Sequence, residues 1–277
     1  MVEKKNPIIY ILMYIVLAFV IVVSLFPLLW VIMSSFKTNA EILSSPFTLP
    51  TAINFQPYLH VLNTNNFAQF GINSFVIATT ATFISLFIYS MGAYVIAKYN
   101  FPGKSIFFSL FVITMLVPGH TRTQPIFSIV MNLRLYDTRQ GLILVYLSGG
   151  MAMCMFVLRA AFASIPKEMA EAATIDGAGF FRTFWQMHLP LARSGLATAG
   201  ILMFLGNWNE YYFAALLTIS PRNRTLPYAL AFFNEAFAYD YTRMFAALTL
   251  AILPGIIIYI FSQEQVRMSV VSSGVKG

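Results

Sequence analysis

The feature that most limits what this chain can become is a series of apolar runs at about 8–33, 71–97, 105–131, 141–163, 196–218 and 244–261. Each reaches the roughly 20 residues an α-helix needs to cross a ~30 Å hydrocarbon core. Lipid offers a peptide group no hydrogen-bond partner, so a crossing segment must be a helix or a strand of a closed barrel. These runs are too long and too uniformly apolar for the alternating strands of a barrel. The expected fold class is therefore all-α, a polytopic membrane protein with six transmembrane helices. The first run follows Lys4 and Lys5, but it is too long for a signal-peptide core and lacks a small-x-small cleavage site, so a retained anchor is expected.

An even number of spans puts both termini on one side of the membrane, and Lys4 with Lys5 argues for the cytoplasm. Outside then lie a loop of about 37–70 rich in Pro, Asn and Thr, a short connection at 132–140 and a longer one at 219–243. Inside lie the basic turn KYNFPGK (98–104) and a segment at about 164–190. Although the net charge is +7, Lys and Arg are scattered among the connections and form no block or stripe, which excludes a nucleic-acid-binding face. The single cysteine, Cys154, lies inside an apolar run. It excludes disulfides and cysteine metal sites and reads as a small core filler. The triplet Asn223-Arg224-Thr225 reads as an exposed loop sequon without further role.

One segment stands out in a chain only 10% charged. EMAEAATIDGAGFFRTFWQMHLP (168–190) holds Glu168, Glu171 and Asp176 between two apolar runs. Pro166 suits a first helical turn, and the acids that follow suit the positive end of the helix dipole, so a helix is expected to start there. Gly177 and Gly179 supply backbone freedom after it, with φ > 0 expected at Gly177. A second helical pattern puts Phe180, Phe181, Phe184, Trp185 and His188 on one stripe, with Leu189-Pro190 as its stop. This helix, glycine turn and helix can be read in two ways. One is an amphipathic connector resting its aromatic stripe on the bundle or the lipid headgroups. The other is a docking element, in which Ala172 and Ala173 present a thin surface beside Glu171 and Asp176 for close approach by another protein.

Catalytic groups are missing from the pattern. His60, His120 and His188 lie far apart, and no H-E-x-x-H or G-x-S-x-G occurs. Gly103-Lys104-Ser105 imitates the end of a phosphate-binding loop, but Lys98 stands where its first glycine belongs. Polar residues within the spans are the other candidates. Asn207, Asn209 and Glu210 fall near the middle of the fifth run, where an unpaired charge costs at least about 2.5 kcal/mol. Glu210 is therefore expected to be paired, neutral or open to water. Pro118, Gly119 and Pro125 interrupt the third run around His120, Arg122 and Gln124, and irregular backbone at membrane depth survives only against protein or water. Such groups either line a solute pathway or tie helices together. Arg159 reads as a snorkelling residue at the inner end of its span. An ion-gradient-driven secondary transporter is compatible with Glu210 and the broken third run, whereas a receptor or scaffold leaves the midplane polar groups unexplained.

EAATIDG, followed nine residues later by MHLP, resembles the EAA loop of binding-protein-dependent ABC importers. Glu171, Ala172, Ala173, Gly177, Leu189 and Pro190 match that pattern, and Met187 replaces its usual Ile. SIPKEMAEAATIDGA (164–178), LRLYDTRQGLIL (133–144), NWNEYYFAALL (207–217), RTLPYAL (224–230) and the terminal GVKG are similar to the smaller permease of maltose-type and multiple-sugar importers. Ser194, where the family commonly has proline, and the tail before its last four residues depart from it.

The resemblance implies a type I ABC importer transmembrane fold in three parts. Residues 1–70 form an N-terminal anchor and extracytoplasmic loop, 71–262 the transmembrane domain, and 263–277 a cytoplasmic tail. It implies that Glu171, Ala172, Ala173, Asp176, Gly177, Leu189 and Pro190 dock into a cytoplasmic ABC ATPase dimer, which carries the ATP and Mg; this chain would hold no cofactor, metal or catalytic residue. A second, related permease and an extracytoplasmic sugar-binding protein complete the implied assembly, in a bacterial or archaeal cytoplasmic membrane. The carbohydrate would pass by alternating access, with His120, Arg122, Gln124, Asn207, Asn209 and Glu210 as candidate pathway residues. A permease for a non-sugar solute remains an alternative.

Overall fold

The computed structural model describes residues 7–63, 66–236 and 240–274, which are helical or irregular, with no strand among them. In chain order the helices are α1 (Pro7–Ser34), α2 (Asn39–Ser44), α3 (Gln56–Asn63), α4 (Phe67–Lys98), α5 (Lys104–Thr114), α6 (Thr123–Asn132), α7 (Arg139–Ser148) and α8 (Met151–Ser164). There follow α9 (Lys167–Ile175), α10 (Phe180–Thr183), α11 (Leu189–Leu191), α12 (Arg193–Trp208), α13 (Tyr212–Leu217), α14 (Leu226–Ala236) and α15 (Tyr241–Gly274). A 3-10 turn precedes α6 (Gly119–Arg122), another precedes α14 (Pro221–Asn223), and a π turn (Phe184–His188) joins α10 to α11.

Helices within α1, α4 and α15 are long and apolar enough to cross a membrane unbroken. Three further spans are bent pairs, giving up to six. The chain between Thr114 and Gly119 turns by 103°, at the interruption expected from Pro118 and Gly119. A 53° bend between α7 and α8 falls at Gly149-Gly150, inside a run whose apolarity gave no sign of it. The remaining bend, 78°, separates Phe180–Leu191 from Arg193–Trp208.

Several expectations need correction, two of them about helix ends. Leu189-Pro190 does not stop the second helix of the polar segment; helix continues through Leu191 and turns at Ala192. The amide of Leu189 reaches the carbonyl of Phe184, five residues back, so the backbone has already widened before Pro190, whose missing N–H then breaks no bond. The fifth run, expected to be continuous over 196–218, is interrupted at 209–211 between α12 and α13. Glu210 explains the interruption: its carboxylate accepts from the amides of Phe213 (2.9 Å) and Ala214 (3.1 Å) and so starts a new helix.

Contact density divides the chain into two units, residues 1–67 with 230–252 and residues 68–229 with 253–277. In the first, α1 is apolar on all sides with none of its apolar window buried, a surface suited to lipid. Just past it, Lys37 is fully buried, and its ammonium donates to the carbonyls of Ser45 and Pro46, both at 3.0 Å. Trp30 donates to the Pro46 carbonyl as well (2.8 Å) and packs edge-on against Phe245. Thr38 and Glu41 form a capping box that starts α2.

The second unit holds two packed clusters. One gathers Tyr94, Cys154, Met155, Leu158, Phe162, Phe184 and Met203 from α4, α8, the π turn and α12; Cys154 is the buried filler expected. The other gathers Ile77, Val130, Leu142, Tyr146, Ala214 and Leu217. Helices α8 and α12 approach so closely that a Cβ placed on Gly195 would stand 2.3 Å from that of Ala161. Arg159, expected to snorkel at the inner end of its span, lays its guanidinium over the Phe108 ring at 4.1 Å. The triplet at 223–225 is not the exposed loop expected: Asn223 and Thr225 are buried, and Asn223 donates to the backbone carbonyl of Asp137.

Candidate functional site

The polar segment is built as a helical foot. Helix α9 ends in a Schellman motif, the amide of Ala178 bonding the carbonyl of Ala173 at 2.9 Å, with Gly177 at φ 76° in the position that needs a left-handed residue. The positive φ expected at Gly177 is present. A Cβ there would meet nothing within 4 Å, so the glycine answers to backbone conformation and not to crowding. Glu171, Ala172, Asp176 and Gly177 are exposed and Ala173 is half-buried. Leu189 is half-buried against the Tyr94 cluster and Pro190 is exposed. Ile175, at the tip of α9, is 86% exposed, an apolar side chain held out on a polar helix.

What fixes this foot to the bundle was not legible in its own sequence. Tyr94, near the end of α4, is 1% exposed and meets the rings of Phe162, Phe180, Phe184 and His188, the last at 4.7 Å. The expected single aromatic stripe is thus divided: Phe184 and His188 are buried under Tyr94, while Phe181 and Trp185 remain exposed. Four residues beyond Tyr94, the Lys98 ammonium donates to the carbonyl of Ile165, just ahead of α9. One end of α4 therefore grips both ends of the segment.

The polar residues within the spans divide into two groups. Arg122, Asn207 and Glu210 line one cavity of about 230 Å3 together with Tyr146, Ser148 and Phe213, and Gly149, Gly150 and Gly206 form bare parts of its wall. Asn207 donates to the Thr82 hydroxyl (3.2 Å). The Tyr146 hydroxyl donates to the Glu210 carbonyl (3.3 Å). Arg122 keeps a buried Nε without a partner, and among the described residues neither Arg122 nor Glu210 forms an ion pair. Glu210 is thus satisfied by backbone amides and opens to a cavity, as its cost in the membrane requires.

His120, Gln124 and Asn209 do not line the cavity. His120 packs on Tyr212 (4.6 Å between rings), whose hydroxyl shares a hydrogen bond with Thr123. Asn209, just past the end of α12, donates back to the Leu205 carbonyl (2.8 Å), and Gln124 is exposed. Sequence reasoning passed over Tyr146, Ser148 and the three glycines. The Gly-Gly pair inside an apolar run was the one available sign.

A bundle of broken spans with a polar helical foot defines a membrane transport component, and comparison with known proteins agrees. Residues 88–270 match the family described as binding-protein-dependent transport system inner membrane component, and the chain belongs to it. It is 35% identical to the diacetylchitobiose uptake system permease protein NgcG of Streptomyces coelicolor, over 90% of this chain and 83% of that one. It is 30% identical to the arabinooligosaccharides transport system permease protein AraQ of Halalkalibacterium halodurans, over 99% of both. Among solved structures it is similar to a bacterial ABC transporter involved in the import of the acidic polysaccharide alginate. That match has a TM-score of 0.80 and 25% identity, covering 95% of this chain and 98% of the other. The fold is that of a type I ABC importer permease.

Proposed function

We propose that this chain is a permease subunit of an ATP-driven carbohydrate importer. It forms half of the pathway beside a second, related permease, and it couples that pathway to a cytoplasmic ABC ATPase through residues 164–190. The observation that carries the coupling role is the foot itself. An exposed α9, bearing Glu171, Ala172, Asp176 and the apolar tip Ile175, is clamped to the bundle by Tyr94 and Lys98. A side chain as exposed as Ile175 at the end of a clamped polar helix suits burial in a partner's cleft. Force applied there reaches α4 and α8 through packed rings rather than through a flexible loop.

The carbohydrate assignment is supported by the printed names of the relatives, which include diacetylchitobiose and arabinooligosaccharide permeases, and by the alginate importer. ATP and Mg belong to the ATPase subunits, delivery of the sugar belongs to an extracytoplasmic binding protein, and both termini of this chain face the cytoplasm. Nucleotide-driven closure of the ATPase dimer moves the docked feet, and the pathway switches from inward to outward facing.

Vesicles holding the full complex with its binding protein test this reading. N,N′-diacetylchitobiose, an arabinotriose, trehalose and an alginate trisaccharide are offered as substrates. Uptake of at least one is expected to require ATP and to survive collapse of the proton and sodium gradients. Uptake that an ionophore abolishes while ATP stays high would overturn the reading in favour of an ion-driven carrier.

A further inference from the structure

We propose that the groove between the last turn of α4, the start of α5 and α8 binds the headgroup of an anionic phospholipid, with its phosphodiester held by Lys104 and Arg159. The inference goes beyond the importer reading and is independent of the solute carried. The first observation is depth. Ile96, two residues before the end of α4, Gly103-Lys104-Ser105 at the start of α5, and Arg159, five residues before the end of α8, line one groove of about 510 Å3. The three helices belong to three different spans, and all have an end here. At 1.5 Å rise per residue, the Arg159 backbone lies about 7.5 Å inside the end of its helix, on the order of one headgroup layer.

The second is charge. No carboxylate lines the groove. The Arg159 guanidinium lies over the Phe108 ring and, among the described residues, forms neither a hydrogen bond nor an ion pair, so its N–H donors remain for a ligand. Lys104 gives one bond to the Asn100 side-chain oxygen (3.3 Å) and keeps its other donors. Its place is a poor one for a lone cation: it opens an 11-residue helix with no acid in the first turn, at the end where the dipole favours negative charge. An anion in the groove answers both conditions. The Gly-Lys-Ser triplet that fails as a nucleotide loop therefore stands where a single phosphate fits.

The third is the apolar surface that continues the groove. Ile96, Phe101, Ile106 and Phe108 supply the rest of its wall. From there Ile106, Leu110 and Ile113, at the i, i+4, i+7 spacing of one helix face, are exposed along α5. This stripe leads from the cations into the span and offers an acyl chain a bed. A free phosphate would use the cations and leave the stripe bare, whereas a phospholipid uses both. A basic pocket between membrane helices suits an anionic headgroup, and in the orientation proposed above the leaflet is the cytoplasmic one.

The test is photolabelling in the complete complex. The complex is placed in phosphatidylcholine bilayers that hold a trace of phosphatidylglycerol with a diazirine near the head of one acyl chain, and labelled peptides are identified by mass spectrometry after irradiation. Label is expected within 96–108. Unlabelled phosphatidylglycerol is expected to lower it about threefold when present at twice its Kd, while the same amount of phosphatidylethanolamine, or added inorganic phosphate, leaves it unchanged. Lys104→Gln and Arg159→Gln are each expected to abolish that competition. Arg193→Gln, which removes an exposed cation at the start of α12 that does not line the groove, is expected to leave it intact. Equal competition by both unlabelled lipids, displacement by inorganic phosphate, or competition that survives both groove substitutions would each overturn the lipid site. So would cross-linking of Ser105→Cys to another subunit by a short maleimide–succinimidyl linker, because protein would then cover the groove. ATP-driven uptake is measured on the same preparation. Uptake without selective competition refutes the lipid site and leaves the importer standing, and selective competition without ATP-driven uptake does the reverse.

Discussion

At the scale of single residues, Asp137 shows how much one carboxylate can hold. It sits at φ 52°, a left-handed conformation that aspartate tolerates better than most residues. Its Oδ1 accepts from the amides of Ile219 (2.9 Å) and Ser220 (3.0 Å), its Oδ2 from the Ser220 hydroxyl, and its own amide donates to the Leu217 carbonyl (2.9 Å). Partial burial works against its ionisation, but the Ser220 hydroxyl, the Ile219 and Ser220 amides and the Asn223 side chain outweigh it and bring the carboxyl down to about 2. The folded value lies below the ordinary ~3.9. The stabilisation is therefore complete above about pH 4 and fades as pH falls toward 2. Peptic cleavage within 217–224 is expected to be slow at pH 4 and to rise as pH approaches 2. In Asp137→Asn, which keeps the backbone but loses the charge, cleavage is expected to be fast at both. Nothing near Asp137 in the sequence announces this role, because its partners lie 80 or more residues away. A burial pattern can be read from spacing, but a single long-range carboxylate contact cannot.

Among the elements, the foot at 164–190 was the most legible and also the site of the clearest miss. The proline, the acids and the glycines predict helix, turn and helix because each acts on its immediate neighbours; the π turn depends on Phe184 and His188 being pulled beneath Tyr94, a tertiary effect. Gly177 allows backbone and crowding to be separated, since its Cβ position is empty. Gly177→Val, in which a β-branched residue is forced to positive φ, carries about 1–3 kcal/mol of strain and is expected to yield an inserted permease that loses its ATPase on purification. Gly177→Asn, which accepts that conformation, is expected to keep it; equal retention by both variants would remove the docking role from this turn. Tyr94→Ala tests the clamp instead: the ATPase is expected to co-purify and hydrolyse ATP while uptake falls, because the docked foot no longer moves α4. The α8–α12 crossing gives a stability test. Gly195→Val drives a side chain into Ala161 and is expected to cost about 1–3 kcal/mol by overpacking, read as a lowered melting midpoint of the purified complex.

For the whole molecule, the apolar runs located the membrane-crossing regions but not their bends. Hydropathy reports that a segment is apolar, and continuity of the helix is decided by glycine pairs and by caps such as Glu210 that average out of it. The three lining residues found by sequence, Arg122, Asn207 and Glu210, were visible because charge or amide in an apolar run is conspicuous. Ser148 and Gly206 were not, being unremarkable in any membrane helix, and the Gly149-Gly150 pair signals a break without saying what the break lines. Orientation is the remaining property of the whole chain, and it rests on Lys4 and Lys5 and on the docking role proposed for the foot. If both termini are cytoplasmic, the turn at Pro221–Asn223 lies outside and the π turn inside. Arg222 and Gln186 are exposed members of these two turns, and native Cys154 is too buried to compete for a reagent. In intact cells a membrane-impermeant maleimide is therefore expected to label Arg222→Cys and to spare Gln186→Cys, with both labelled after the membrane is opened. The reverse pattern would place the foot on the face opposite to any cytoplasmic ATPase and would end the coupling proposal along with the orientation.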